Sequence, residues 1–310
     1  MPLISAIIPV FRDSERATAT VGALQRCRLP STYSLEIVVV DDGSHDGTAE
    51  RLAQHFGECI LLLSNPINLG RAATRNRGAS SAQGEYLLFL DCDCAPADAD
   101  FLTAHLSAIA DADGSIGALQ GTGEGFWHDY QALAQRRRQR LSSQHLDVLF
   151  SSANVMLARA AFLAAGGFDE RYRGYGFEDR ALALTLQQNG ARLQLAPGAL
   201  ALHHDTLSLA AVCAKMRAAA GGNARLFGRE FPDAYRRLGY AAIDARLHRW
   251  LRLPSRWLEP LRRFGLRWLE PRLESRRWPF ALRAKAVRLL VAASYLRGSA
   301  EAATDSSKSR

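Results

Sequence analysis

Long apolar runs are missing from this chain. No stretch reaches the ~18 apolar residues that a membrane-spanning helix needs, so an integral membrane protein is not expected. A secretory leader is not expected either, because the opening MPLISAIIPVFRD places no basic segment before its short apolar run. Cysteine is scarce and odd in number: Cys27, Cys59, Cys92, Cys94 and Cys213 fall at irregular spacing. That pattern does not make a disulfide framework and fits a reducing, cytoplasmic compartment. Cys92 and Cys94 stand two apart without a second pair, which is poor ground for a zinc site. Internal repeats are absent, and the only low-complexity piece follows Ser299, so 301–310 is expected to be a disordered tail. Charged residues, at 23%, are close to the globular average, which excludes wholesale disorder.

What is present suits one substantial domain and a smaller one: 310 residues, 48% of them hydrophobic. The net charge of +8 is unevenly spread. From Leu207 onward there are 22 Lys/Arg and 8 Asp/Glu, against 17 and 23 before it. An acidic first part joined to a basic last part suggests two jobs, the basic one suited to nucleic acid or an anionic membrane surface. The expected division is 1–207, then a helical basic extension over 208–300.

Four short apolar runs, Ile4–Val10, Leu35–Val40, Ile60–Leu63 and Tyr86–Leu90, read as buried strands. Helical segments over Glu15–Cys27, Thr48–Phe56 and Arg71–Ser81 alternate with them. The alternation predicts an α/β fold, a parallel sheet with helices on both faces, whose ligands bind beyond the carboxyl ends of the strands. Three strands end in polar clusters there: Pro9-Val10-Phe11-Arg12-Asp13, Asp41-Asp42-Gly43-Ser44 and Asp91-Cys92-Asp93. The middle, 147–205, is less regular. It holds Gly166-Gly167-Phe168-Asp169, a helical run over Ala181–Asn189, and a strand-like Ala199–Leu202 leading into His203-His204.

Asp91 and Asp93 crowd two carboxylates at a strand end, which is costly unless a cation or solvent relieves it. Carboxylate oxygens suit Mg²⁺ or Mn²⁺, although a D-x-D by itself also fits a solvated loop. Asp41 and Asp42 suit a base N–H or ribose hydroxyl, or else a plain turn ahead of a helix start. Glu178 and Asp179 follow the glycine-loosened Gly174-Tyr175-Gly176-Phe177. The helix dipole alone favours acids there. A carboxylate so placed also serves as a general base for an attacking hydroxyl. His203 and His204 are candidate metal ligands or plain structural histidines.

The ordered set ISAIIPVFRD (4–13), IVVVDDGSHDGT (37–48), NLGRAATRNRG (68–78) and GEYLLFLDCD (84–93) resembles the family 2 glycosyltransferases, over roughly 4–205. The resemblance implies a GT-A fold, Rossmann-like, of the nucleotide-diphospho-sugar transferase type. It implies that Pro9, Phe11, Asp41 and Asp42 line the nucleoside pocket. Arg75 would then help hold the donor, with helix-surface charge the alternative. Asp91 would face the ribose or a bridging water, and Asp93 would bind a divalent metal, Mn²⁺ or Mg²⁺. The Gly-x-Gly-x-Glu-Asp element resembles that of inverting family 2 enzymes and related galactosyltransferases, which implies Asp179 as base and Glu178 as acceptor ligand. Tyr175 stands where those enzymes usually have Trp, leaving the acceptor more open. His203, ahead of His204, stands where such enzymes keep a metal-binding histidine.

The expectation is therefore inverting transfer from a nucleoside-diphosphate sugar, first choice UDP-sugar, to a glycan, lipid-linked or small-molecule hydroxyl. One rival is a sugar nucleotidyltransferase, disfavoured because Pro9-Val10-Phe11-Arg12 is not the expected glycine-rich loop. The other is a non-catalytic binding module docked by its basic tail. In that tail Trp250, Trp257, Leu261, Phe264 and Trp268 fall on one helical face among arginines, interrupted by Pro254 and Pro260. The stripe suits packing on the catalytic domain, or peripheral membrane contact through 245–300 on the inner face of the membrane. Nucleic acid is not expected, for want of a recognised motif.

Overall fold

The computed structural model describes residues 1–142, 145–205, 207–275 and 277–308, with all side chains except those of 139–142, 253–258, 261 and 305–308. The chain forms two compact units. The first is Met1–Gly123, Gln131–Arg171 and Glu178–Asp205, and the second is Glu124–Tyr130, Tyr172–Phe177 and Thr206–Arg310.

The first unit runs β1 (Leu3–Val10), α1 (Ser14–Gln25), β2 (Ser34–Asp41), α2 (Thr48–Phe56), β3 (Leu61–Ser64), α3 (Arg71–Ser81), β4 (Tyr86–Leu90), β5 (Cys94–Pro96), α4 (Phe101–Ile109) and β6 (Gly114–Gly121). Helix α5 (Phe126–Ser142) starts in the second unit and ends in the first. Then follow β7 (Asn154–Ala158), α6 (Arg159–Ala164), α7 (Glu178–Gln188) and β8 (Leu193–His203). The eight strands form one sheet in the order β3-β2-β1-β4-β7-β6-β8-β5. Strands β1 to β4 are mutually parallel as expected, but β7 is antiparallel to both β4 and β6, so the sheet is mixed. The reversal lies in the stretch whose pattern was too irregular to read.

Strand periodicity explains both faces of the sheet. Ile4, Ala6, Ile8 and Val10 of β1 share one core with Ile37, Val39, Leu88, Leu90 and helices α1, α2 and α4. Ile7, Val38, Val40, Leu87 and Phe89 face the other, against α3, α6 and α7. All are buried, and each side chain larger than that of Ala6 contributes ~1.5–3 kcal/mol over exposure. A buried polar knot ties the irregular part together: His105 contacts Ser115 at 2.8 Å and Asn154 at 2.9 Å. Burial presses the His105 pKa down to about 4, against the opposing Asn154 bond, so the ring is neutral.

The second unit is helical: α8 (Leu209–Gly221), α9 (Asn223–Glu230), α10 (Pro232–Arg237), α11 (Arg252–Leu269) and α12 (Phe280–Lys308). Its core gathers Phe126, Leu209, Cys213, Leu269, Leu273, Ala284 and Val287. Two expectations are corrected here. Helix α12 continues through Lys308, and Glu301 pairs with Arg217 and Arg297, so 301–308 is helix rather than a disordered tail. Helix α11 runs on through Pro260 without ending, and Pro254 sits in its first turn, where a missing N–H costs nothing. Of the aromatic stripe, Trp250 and Phe264 are exposed and Trp268 packs on Trp278 at 5.1 Å. The side chains of Trp257 and Leu261 lie outside the described residues.

Candidate active site

The parallel register aligns the carboxyl ends of β1, β2 and β4 on one rim: Val10 lies opposite Asp41, and Ile7 opposite Phe89. Phe11 and Arg12 leave β1 exposed, with the Arg12 guanidinium 5.0 Å over the Phe11 ring. Pro9 is half-buried within β1 opposite Val40.

Asp41 and Asp42 are both buried, and the structure shows what each holds. Asp41 accepts from the Ser44 hydroxyl and, at 3.3 Å, from the Ser44 N–H. Ser44 Oγ in turn accepts from the Arg12 N–H at 2.8 Å. Asp42 accepts from Asn65 Nδ2 at 2.8 Å and from the N–H groups of Leu69 and Gly70 at 2.8 and 3.0 Å, fixing the chain into α3. Gly43 makes this turn at φ 70°, where a Cβ would stand 2.4 Å from the Ile67 carbonyl carbon. Both aspartates therefore brace the rim, while Phe11 beside them is open to solvent.

Arg75, expected to help hold the donor, is almost fully buried at 1% exposure. Its Nη2 donates to Asp91 Oδ1 at 2.6 Å, and its Nη1 lies 3.8 Å from Glu178 Oε1. The guanidinium sits over the Phe168 ring at 5.5 Å. Asn76, the next residue on α3, clamps Phe168 in place. Its Nδ2 donates to the Phe168 carbonyl at 2.7 Å, and its Oδ1 accepts the Phe168 N–H at 2.9 Å. Gly167, at φ 74°, lets that clamp close, since a Cβ would come within 2.9 Å of Asn76 Oδ1. One buried cation thus links a rim carboxylate to the first residue of α7. Arg75 Nε, Arg75 Nη1 and Glu178 Oε2 have no hydrogen-bond partner among the described residues.

Burial, and then the neighbouring Asp179 charge, push the Glu178 carboxyl up to about 7, against the pull of Arg75 and Arg71. A raised acid pKa means that the fold binds a proton which the unfolded chain has already lost. Stability attributable to Glu178 therefore falls as pH rises from about 4.5 to about 7. Glu178→Gln is expected to remove that fall, about 3 kcal/mol across the window. Urea denaturation from pH 4 to pH 8 reads it directly. Superimposable curves for the two proteins would reject the assignment.

Asp179, half-buried, accepts from the Arg180 N–H at 2.8 Å. The strained residue just before this helix is Phe177, at φ 74°, a conformation disfavoured for an aromatic. Its ring is held by Phe227 at 4.9 Å and Tyr240 at 5.1 Å.

The second cluster forms where β5 meets β8. Their antiparallel register sets Cys94 opposite His203, and the His204 N–H donates to the Asp93 carbonyl at 2.8 Å. His203 Nε2 comes to 3.3 Å from Asp93 Oδ2. His204 turns away, its Nδ1 3.3 Å from Thr122 Oγ1. Burial raises the Asp93 pKa, but the His203 bond and charge, with the Cys94 thiol, outweigh it and leave the carboxylate lowered. His203 is raised, first by its bond to Asp93, with burial opposing. Ligand atoms of Asp93, Cys94 and His203 all fall within 4.8 Å of one another. Burial and the charges of Asp91 and Asp93 push the Cys94 thiol far up, so it stays protonated and donates to Asp93 Oδ1 at 3.5 Å. The available donor set is one carboxylate and one imidazole, which fits a hard divalent cation rather than zinc held by thiolates.

Sequence reading missed Ser44, Asn65 and Phe168. Ser44 carried a signal, three residues after Asp41 in a turn. Asn65 and Phe168 act across the fold, from positions that only packing identifies.

With this geometry in view, comparison with known proteins gives the class. The family described as Glycosyl transferase family 2 matches residues 5–164, and N-terminal domain of galactosyltransferase matches residues 143–206. The chain belongs to glycosyl transferase family 2. Among solved structures it is similar to the mannosyltransferase PcManGT from Pyrobaculum calidifontis in complex with GDP-Man and Mn²⁺. The TM-score is 0.59 at 18% identity, over 98% of this chain and 87% of that one. It is also similar to S. aureus TarS 1–349 in complex with UDP-GlcNAc, with a TM-score of 0.55 at 18% identity, over 99% and 92% of the two chains. The fold is the GT-A type with a helical C-terminal region.

Among curated relatives, glycosyltransferase AglE of Haloferax volcanii is 35% identical over 99 residues, 31% of this chain and 32% of its own. Validoxylamine A glucosyltransferase of Streptomyces hygroscopicus subsp. jinggangensis is 27% identical over 222 residues, 61% and 52% of the two chains. The chain thus spans about a third to a half of the length of these relatives.

Proposed function

We propose that this chain transfers a sugar, with inversion and with help from a divalent cation, from a nucleoside-diphosphate sugar to an acceptor hydroxyl. The observation that carries this reading is the pairing of Asp93 with His203 at 3.3 Å on the rim of the sheet, close in sequence to Asp91, which is tied through Arg75 to Glu178. Asp93 and His203 would hold Mn²⁺ or Mg²⁺, which offsets charge on a departing diphosphate. Phe11, exposed at the end of β1, and Asp91 would meet the donor. Pro9, Asp41 and Asp42 shape the wall beside them, with Arg75 setting Asp91 from beneath.

Asp179 is the base. It takes the proton of the acceptor hydroxyl while that oxygen bonds to the anomeric carbon and the carbon–oxygen bond to the diphosphate breaks. Glu178 holds the acceptor from the start of α7. Single displacement of this kind inverts the anomeric centre. UDP-sugar is the first choice of donor, and a glycan, lipid-linked or small-molecule hydroxyl the acceptor. A cytoplasmic site of action fits five cysteines that are all unpaired. No helix among the described residues is long and apolar enough to cross a membrane.

The testing experiment is hydrolysis of a panel of UDP-, GDP- and dTDP-sugars with and without Mn²⁺. One donor is expected to turn over slowly and only with the metal. If no donor turns over and no nucleotide binds in a metal-dependent way, the chain is a binding module and this reading fails.

A further inference from the structure

Helices α11 and α12 run antiparallel. Glu259 in the first half of α11 and Glu301 late in α12 both meet Arg217, Gly265 lies against Leu290, and Trp268 packs edge-on against Trp278. At 100° per residue, the positions one step before each member of a contact pair point to the same side of an antiparallel pair. Phe264 and Leu289, flanking the Gly265–Leu290 contact, therefore share one face. Leu282, two turns before Leu289, joins them. These three are 64%, 62% and 54% exposed, and Trp278 is 39% exposed. A cluster of that kind on a soluble surface marks something that covers it.

Charge identifies the cover. Residues 249–289 carry twelve Lys/Arg and three Asp/Glu. All three carboxylates are spent within the unit. Glu259 binds Arg262 and Arg263, Glu270 accepts the N–H groups of Leu209 and Ala210 at the start of α8, and Glu274 accepts the Phe126 N–H at the start of α5. Arg267, Arg277 and Lys285 stay exposed among the apolar side chains. Two of the acids thus cap helices and the third is paired with arginines, so the net charge that the described residues of this stretch offer outward is cationic. That combination matches an anionic lipid headgroup layer over an acyl boundary, with cations drawn to the phosphates and aromatic and leucine side chains sunk below them.

We infer that the face of the α11–α12 hairpin carrying Phe264, Leu282 and Leu289 docks the protein on an anionic bilayer surface. The test is co-sedimentation of the full chain with vesicles of phosphatidylcholine alone or of phosphatidylcholine with phosphatidylglycerol. The unaltered chain is expected to pellet with the anionic vesicles only, and less as salt rises. The triple variant Phe264→Ser, Leu282→Ser, Leu289→Ser is expected to bind at least roughly tenfold more weakly with an unchanged melting temperature, since the side chains removed are exposed. Equal pelleting of variant and parent, or no preference for the anionic vesicles, overturns the inference. Should the triple variant melt early, the headgroup and salt comparison on the unaltered chain decides alone. A parent that is dimeric without vesicles, indifferent to them, and monomeric as the triple variant would make the face a contact between copies and would also overturn it.

Discussion

Asp179→Asn is expected to lower kcat for sugar transfer by roughly 10²–10⁴-fold, the worth of a positioned proton acceptor. Donor KM should stay where it is. Asparagine keeps the shape of the side chain and an oxygen for the Arg180 N–H, so the helix start is undisturbed and only the capacity to take a proton is lost. An effect on kcat without one on KM is the signature of an interaction made in the transition state alone. A second readout comes from Glu178, whose carboxyl is held up in part by the Asp179 charge. Removing that charge should bring the Glu178 pKa down, which titration of the folded protein would show. If Asp179→Asn keeps the parent kcat while Glu178→Gln loses it, the proton goes to Glu178 and the assignment of the pair is reversed.

Asp93→Ala should abolish metal-stimulated turnover, a loss of about a thousandfold or more if the cation supplies several kcal/mol to the departing diphosphate. The same loss is expected for His203→Ala and not for His204→Ala, because only His203 faces Asp93, while His204 is turned to Thr122. Calorimetric titration of Mn²⁺ in the presence of UDP separates binding from chemistry. The Asp93 and His203 variants should show no saturable heat, and the His204 variant a normal isotherm. A His203→Ala protein that binds Mn²⁺ as tightly as the parent would remove the imidazole from the site.

The parts of the fold that were legible in sequence are those with local cause. Strands β1, β2 and β4 announced themselves as apolar runs because both of their faces are largely buried, the edge strand β3 reads as a short leucine run, and α2 and α3 sit at Thr48–Phe56 and Arg71–Ser81 as expected. The reversed strand β7 and its neighbours were obscured because their stability comes from long-range pairing and from a buried polar knot of His105, Ser115 and Asn154. Such residues look like surface residues in a sequence. The same distinction holds in the site. The spacing of Asp91 and Asp93 and the pair Glu178-Asp179 stood out as clustered charge. That Arg75 would be buried between Asp91 and Glu178, rather than lie on the helix surface, depends on Phe168 and Asn76, which no local pattern connects to it. Prolines misled in α11 because a helix anchored along its length tolerates one missing backbone bond.

Asp93, just before β5, and His203, at the end of β8, are brought together by strands that pair with each other but are far apart in sequence. Contacts of such long sequence separation form late, after the cost of closing the intervening loop has been met. A ribosome that has released the four parallel strands and Asp93 has delivered only one member of the Asp93–His203 pair, and the other arrives with the final strand, β8. During synthesis the parallel strands can therefore pair before Asp93 meets His203. The pairing of Asp93 with His203 is completed once, by the last β-strand to emerge.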